Sequence, residues 1–334
     1  MRIHFKKVAV LVASLAMAFA LTACGTPASN SNDSASQSAS SSSAVKNEVT
    51  KVGDIVIPTQ EEALAKLGLE KAPESVLCTT YNTTIMAYDL GLDITGTVTT
   101  TRPMPEALKD TPTIGVVTGR SDFDFEKIIA LGGDVVIADS QYEPKLKPTL
   151  DQQGIASCYV DTSDLGKLQE ALATLGSALG KRDQVIDILT NWNNEIEAMQ
   201  AAIADKPSPT VLVVRKATNM ATSASYVGSL FKTLNITCAT DKMNLEDTSA
   251  TYVPIDAEKI LEVDPDYILV PGGAELEGDI KMLEELKTSD AWSSLTAVKN
   301  GNVIAVTDSY YQPIADMDCI KALHELSRVV YGVE

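Results

Sequence analysis

The chain has 334 residues, enough for two domains, and its 45% apolar content is that of a globular protein with a real core. The formal net charge is −18; taking away the first 23 residues, which hold Arg2, Lys6 and Lys7 and no acid, leaves −21. Such a surface repels nucleic acid, so DNA and RNA are excluded as partners, and an anionic ligand needs a local basic patch.

Residues 1–23 read as a secretory signal: a basic start, then the apolar run from Val8 to Leu21. The run ends in Leu21-Thr22-Ala23-Cys24-Gly25, which resembles the bacterial lipobox, where the cysteine takes lipid after cleavage; Cys24 is the expected anchor. Residues 24–50 are dominated by Ser, Asn and Ala, with no large apolar residue before Val45, and are expected to form a disordered tether. Lipid and tether together place the globular part at the extracytoplasmic face of the cell membrane. Four cysteines remain, Cys78, Cys158, Cys238 and Cys319, at spacings that suit neither a metal site nor a stapled scaffold. Export permits disulfides, and free buried thiols are the favoured alternative.

Residues 52–57 suggest a short strand, and 59–67 a helix capped by Thr59. A strand over 76–80, a polar turn over 81–84 and a short helix through Ile85, Met86, Tyr88 and Leu90 follow, closed by Gly91. The next strand covers 94–98, ahead of a polar loop over 99–104. Residues 125–138 read as helix, tight turn and buried strand, and residues 257–270 repeat them without a gap, with Glu126, Lys127, Ile128 and Asp134 matched by Glu258, Lys259, Ile260 and Asp266. One such repeat implies two lobes of similar build. A loop over 139–148 carries Tyr142, and 156–160 is another strand.

Between the copies, Leu165, Leu168, Leu172, Leu175 and Leu179 mark one helix. Gly180-Lys181-Arg182 breaks it, Asp183 is a possible cap, and Val185, Leu189, Trp192, Ile196, Met199 and Ile203 mark a second helix about 33 Å long. Its place fits a rigid strut between lobes; a helix inside one large domain would show the same spacing. The second half offers a strand over 211–214 with Arg215 and Lys216 at its end, a helix over 226–234, and an irregular stretch over 235–250. After the second repeat copy come a Gly272-Gly273 loop, a strand over 303–306, a loop over 307–313 with Tyr310 and Tyr311, and a C-terminal helix using Ile320, Leu323, Leu326 and Val330.

This alternation predicts an α/β fold: two Rossmann-like lobes with parallel sheets, over 51–182 and 206–334, joined by one long backbone helix over 183–205. Ligands of such sheets bind beyond the C-terminal strand ends. The loops at 81–84, 99–104, 139–143, 215–220, 271–275 and 307–313 are therefore expected to line a cleft. A helix bends less readily than strand linkers, so little hinge motion is expected.

Signal, lipobox, tether, repeated lobes and linking helix together resemble the substrate-binding lipoproteins of ABC importers, in the helical-backbone branch that serves iron chelates, haem and cobalamin. Residues 125–138, 257–270 and the segment from Trp292 to Val303 carry the likeness. Cys78-Thr79-Thr80, Pro112-Thr113-Ile114-Gly115 and the run from Ala221 to Gly228 look most like the haem-binding lipoproteins of iron-regulated surface determinant systems. The resemblance implies a monomer that has no cofactor of its own. It implies capture of a small-molecule iron chelate, haem or a ferric siderophore, for an ABC permease and its ATPase. A corrinoid carrier and a ligand-sensing lipoprotein without transport are the alternatives. The haem proteins ligate iron with a Met and a His; here Ile85 stands where the Met would fall, with Met86 beside it, and Gly272-Gly273 replaces the His. The acidic docking positions of the branch fall near Thr84 or Ile85 and on Ser225, none of them acidic.

Iron in a chelate takes oxygen, imidazole or thioether ligands. The expected ligand-binding residues are Tyr81, Tyr142, Tyr310 and Tyr311 as oxygen donors, Met86 as soft ligand or apolar wall, and Arg102 and Arg215 as partners for a carboxylate. Met104, Met220 and Arg120 are weaker candidates. No catalytic constellation, phosphate loop or dinucleotide fingerprint appears, so a non-enzymatic binding protein is expected.

Overall fold

The computed structural model describes residues 50–100, 102–116, 122–273 and 276–333. The signal, Cys24, most of the tether, and Arg120 lie outside them. Residues 48–334 form one compact unit. Among the described residues no helix is long and apolar enough to cross a membrane.

Two separate sheets organise the unit. The first runs Asp122–Phe123, Thr113–Val116, Asp93–Thr99, Ser75–Cys78, Val135–Asp139, Ser157–Val160. The second runs Tyr252–Pro254, Asn219–Ala221, Thr210–Arg215, Tyr267–Pro271, Val303–Val306, with Thr237–Cys238 beside the start of Thr210–Arg215. The central strands are parallel and read as continuous apolar runs because both faces are covered. The outer strands correct the all-parallel expectation: Asp122–Phe123, Asn219–Ala221 and Tyr252–Pro254 pair antiparallel.

The internal repeat has a physical meaning. Each copy's strand lies next to the strand that comes first in chain order in its sheet, Val135–Asp139 beside Ser75–Cys78 and Tyr267–Pro271 beside Thr210–Arg215. Each copy's helix is capped by an aspartate, Asp124 accepting from Lys127 N at 3.0 Å and Asp256 from Lys259 N at 3.1 Å. The shared aspartate before each strand then pins the neighbouring strand. Asp134 Oδ2 accepts from Glu74 N at 2.7 Å and Ser75 N at 3.1 Å; Asp266 Oδ2 accepts from Thr210 N at 2.8 Å. The repeat thus fixes register twice, at the same place in each sheet.

The strut is two helices, Leu165–Ala178 and Arg182–Ile203. Asp164 caps the first, accepting from Lys167 N at 2.8 Å. Lys181, not Asp183, precedes the second; Gly180 takes φ +70° and Lys181 N donates to Gly176 O at 2.7 Å, so the break is a tight helix ending that leaves Asp183 inside the first turn. Val185, Leu189, Ile196, Met199 and Ile203 are buried, as the stripe requires. One apolar core joins them to Met86 and Leu90 of the first lobe and to Phe231, Leu323 and Leu326 of the second. His324 Nε2 donates to Glu195 Oε2 at 3.0 Å, tying the C-terminal helix Cys319–Leu326 to the strut.

Two loop expectations give way to helix. Thr80 and Thr83 form a capping box that starts the helix Tyr81–Asp89 at once, where a polar turn was expected. After a turn at Ser140–Tyr142, Glu143–Gln152 is helical, with one proline in its first turn where no N–H is needed; Pro148 is tolerated further along. The four cysteines are buried free thiols, and burial pushes Cys158 up to about 12.

The helices of the strut meet at Gly176, where an added Cβ would overlap Cγ2 of Val185 and come within 3.3 Å of Leu90 Cδ2. Alanine favours helix over glycine by about 1 kcal/mol, yet overpacking costs about 1–3 kcal/mol. Gly176→Ala is expected to lower the urea midpoint, whereas a raised midpoint would show that this crossing is not tight.

Candidate functional site

The C-terminal ends of the two sheets meet. From the first lobe come the start of Tyr81–Asp89, the loop after Asp93–Thr99, and Thr162 after Ser157–Val160. From the second comes the segment between the turn Asp308–Tyr311 and the helix Cys319–Leu326. Asn82 Nδ2 donates to Ala315 O at 2.7 Å, and Ala315 N donates to Thr162 O at 2.7 Å. Arg102 Nη2 lies 2.6 Å from Asp316 Oδ2 and 3.9 Å from Asp318 Oδ2.

Three of the seven expected residues gather here. The Arg102 guanidinium lies 3.7 Å above the Tyr81 ring centroid, and Tyr81 Oη donates to Pro103 O at 3.2 Å. Tyr310 feels the same charges as Tyr81: Lys321, Asp318 and Asp316 act on both phenols. Burial raises both above the ordinary tyrosine value; Arg102 pulls Tyr81 down, Lys321 pulls Tyr310 down, and Asp318 raises each. Lys321 Nζ is itself 2.6 Å from Asp318 Oδ1. The result is a mixed-charge rim with two phenols, one guanidinium and one ammonium.

The other four stand elsewhere. Arg215 and Tyr311 are joined, but inside their own lobe: Arg215 Nη1 donates to Tyr311 O at 2.5 Å, Nη2 donates to Gln312 Oε1 at 3.0 Å, and Asp308 Oδ1 lies 3.3 Å away. Arg215 anchors the backbone from which the junction segment springs, and the Tyr311 ring is fully buried. Met86 is fully buried in the core shared with the strut, one helical position inward of Ile85. Tyr142 packs edge-on against Phe123, centroids 5.5 Å apart, in the separate core on the outer face of the first sheet.

Sequence reasoning passed over Asn82, Asp316, Asp318 and Tyr226. Asn82 lay in an expected cleft loop, but acids are abundant and nothing in their spacing points Asp316 at an arginine two hundred residues earlier. At the neighbouring strand end, Lys216 and Ala217 take φ of 51° and 53°, and buried Asp279 holds this strained turn by accepting from Ala217 N at 2.9 Å. A hollow of about 660 Å³ opens beside Met220, Leu245, Val253 and Ile255 at the antiparallel edge of the second sheet; none of the seven residues lines it. No group of three His, Cys, Asp or Glu side chains placed to hold a metal occurs among the described residues.

A model of the periplasmic binding protein family matches residues 76–310, more than half of the chain. The chain belongs to this family. It is thus of the substrate-binding kind that serves ABC importers, outside the cytoplasm, and not an enzyme. The high-affinity heme uptake system protein IsdE of Staphylococcus aureus is 25% identical over 261 residues, 77% of this chain and 87% of IsdE. The crystal structure of IsdE complexed with heme aligns with a TM-score of 0.65 at 24% identity, over 77% of this chain and 98% of that one. An ABC transporter substrate-binding protein from Listeria monocytogenes EGD-e aligns with a TM-score of 0.66 at 23% identity, over 79% and 100%. SirA of Staphylococcus aureus, complexed with staphyloferrin B, aligns with a TM-score of 0.62 at 21% identity, over 78% and 94%. This chain shares its two-lobe fold with these proteins.

Burial holds the Asp316 carboxyl above the ordinary carboxylate range, while Arg102 pulls it down. A carboxyl raised on folding contributes stability below its unfolded value that is lost as pH rises through the folded value. Arg102→Met removes the downward pull and leaves a buried acid alone, at a cost of about 3 kcal/mol once it is ionised. Its stability deficit is expected to grow as the pH rises above about 4, read from denaturation midpoints against the unmodified protein. A deficit independent of pH would separate Asp316 from Arg102.

Proposed function

We propose that this chain is the lipid-anchored binding protein of an ABC importer, capturing an iron complex, haem or a ferric siderophore, between its lobes for delivery to the permease. The observation that carries the reading is the junction where strand ends of the first lobe meet the segment that follows Asp308–Tyr311 in the second, with Tyr81, Arg102 and Tyr310 around it. Oxygen donors beside fixed positive charge suit a ferric complex that carries negative charge. IsdE with heme and SirA with staphyloferrin B support iron cargo from the side of family likeness. Cys24 as anchor and residues 24–50 as tether would hold the protein near its permease and ATPase, acting as a monomer.

A ferric siderophore is favoured over haem by one set of observations. Met86 is fully buried, Gly272-Gly273 stands where a second-lobe histidine would be, and His324 faces Glu195 on the strut. A siderophore already saturates its iron and asks only for charge and hydrogen bonds from the protein. Titration of purified protein with hemin, followed at the Soret band, and with ferric siderophores, followed by fluorescence quenching, decides. Saturable one-to-one binding of a ferric siderophore is expected, weakened severalfold in Tyr81→Phe and Tyr310→Phe. Failure of both hemin and siderophores to bind would sink the iron reading.

A further inference from the structure

The segment between Tyr311 and Cys319 is neither helix nor strand, and it bridges the two lobes. Its anchors are unequal. Ala315 is held by two hydrogen bonds, its O accepting from Asn82 Nδ2 and its N donating to Thr162 O. Asp316 instead offers Arg102 a single close contact through one oxygen; its other oxygen accepts from Asp318 N at 2.9 Å. A guanidinium is built to take a carboxylate through two parallel N–H groups. Here Nε of Arg102 is buried and has no hydrogen-bond partner among the described residues. The hydroxyl of Tyr226, a residue 2% exposed, has none either, and Asp316 and Asp318 are among the charges it feels. Two buried donors are therefore unmatched, the Nε of the guanidinium that holds Asp316 and the Tyr226 hydroxyl.

The guanidinium is already held and largely desolvated: its side chain is 15% exposed and its Cζ stands 3.7 Å from the Tyr81 ring centroid. Binding usually loses most to desolvation and ordering, and here that cost falls on the empty protein instead. A second carboxylate keeps the guanidinium paired, and Asp316, once released, must reach water to escape the cost of a buried lone acid. A newcomer that reaches both Nε and Nη2 gains the second bond that Asp316 does not make.

We infer that Asp316 is a built-in competitor for Arg102: a carboxylate of the cargo takes its place on the guanidinium, and the junction segment yields as it does so. The cargo class that follows is a carboxylate-bearing complex rather than a neutral one. This deepens, and rests on, the reading of the chain as a binding protein for an iron complex.

Calorimetric titration of the full chain and of Asp316→Asn, Arg102→Gln and the double variant tests it, with ferric citrate, iron-free citrate and an uncharged ferric trihydroxamate as probes. Melting curves establish that each variant is folded. Asp316→Asn is expected to bind ferric citrate about tenfold tighter than the unmodified chain, with a smaller gain for the trihydroxamate. Arg102→Gln is expected to bind ferric citrate more weakly, and adding Asp316→Asn to it is expected to restore nothing. An equal gain for the neutral complex, a gain that survives without Arg102, or weaker citrate binding by Asp316→Asn would overturn the inference. Ferric binding indifferent to both substitutions would leave the iron reading and remove the competitor. Arg102-dependent binding of iron-free citrate by Asp316→Asn, with no ferric probe bound by any form, would keep the competitor and remove the iron reading.

Discussion

Everything in this molecule depends on one apolar seam shared by both halves. The stripe from Val185 to Ile203 does not belong to either sheet. It is part of one buried cluster that also holds Met86 and Leu90 of the first lobe and Phe231, Leu323 and Leu326 of the second. Each such side chain is worth about 2 kcal/mol when buried. Parting the lobes along this seam would expose many of them at once, a loss on the scale of a domain's whole stability. Gly176 lets the two strut helices approach closely enough to make the seam continuous. Two sheets that share a core are held at a fixed separation, and their C-terminal loops are left to meet across whatever space remains.

That space is governed by polar rather than apolar contacts. Asn82, Thr162 and Arg102 reach Ala315 and Asp316 through hydrogen bonds and one ion pair. Such contacts contribute little in net terms only so long as each displaced group finds water or a new partner. The molecule thus combines a frame that is costly to deform with a closure that is cheap to exchange. In a substrate-binding protein, this division makes a short irregular segment the part that is cheapest to move and spares the sheets.

Much of the frame was legible in the residues. Period-3.6 leucines marked the strut, apolar runs marked the buried strands, and the coincidence of Asp134 with Asp266 marked two lobes of one build. What the sequence hid has physical causes. The antiparallel edge strands are two or three residues long, too short for alternation to register. The helix starting at Tyr81 is announced only by a threonine pair whose hydroxyls cap it, and threonines are equally at home in turns. Of the site, Tyr81, Arg102 and Tyr310 were reachable because each follows a strand's C-terminal end. Tyr311 and Met86 looked equivalent to them, but adjacent positions on a turn or helix face opposite ways, and these two face the core. Asp316 was out of reach because an ion pair between lobes is a fact of tertiary packing, invisible to local pattern.

The account requires that cargo enters by local movement at the junction and not by the swinging of lobes. Spin labels at Ile129 and Leu261, both on the exposed faces of the repeat helices, one in each lobe, read the separation directly. Their distance distribution, measured before and after saturation with a bound ferric complex, is expected to stay the same. A shift of the whole distribution to shorter distance on binding would contradict the shared core as a fixed frame, and with it the account of how this fold holds its cargo.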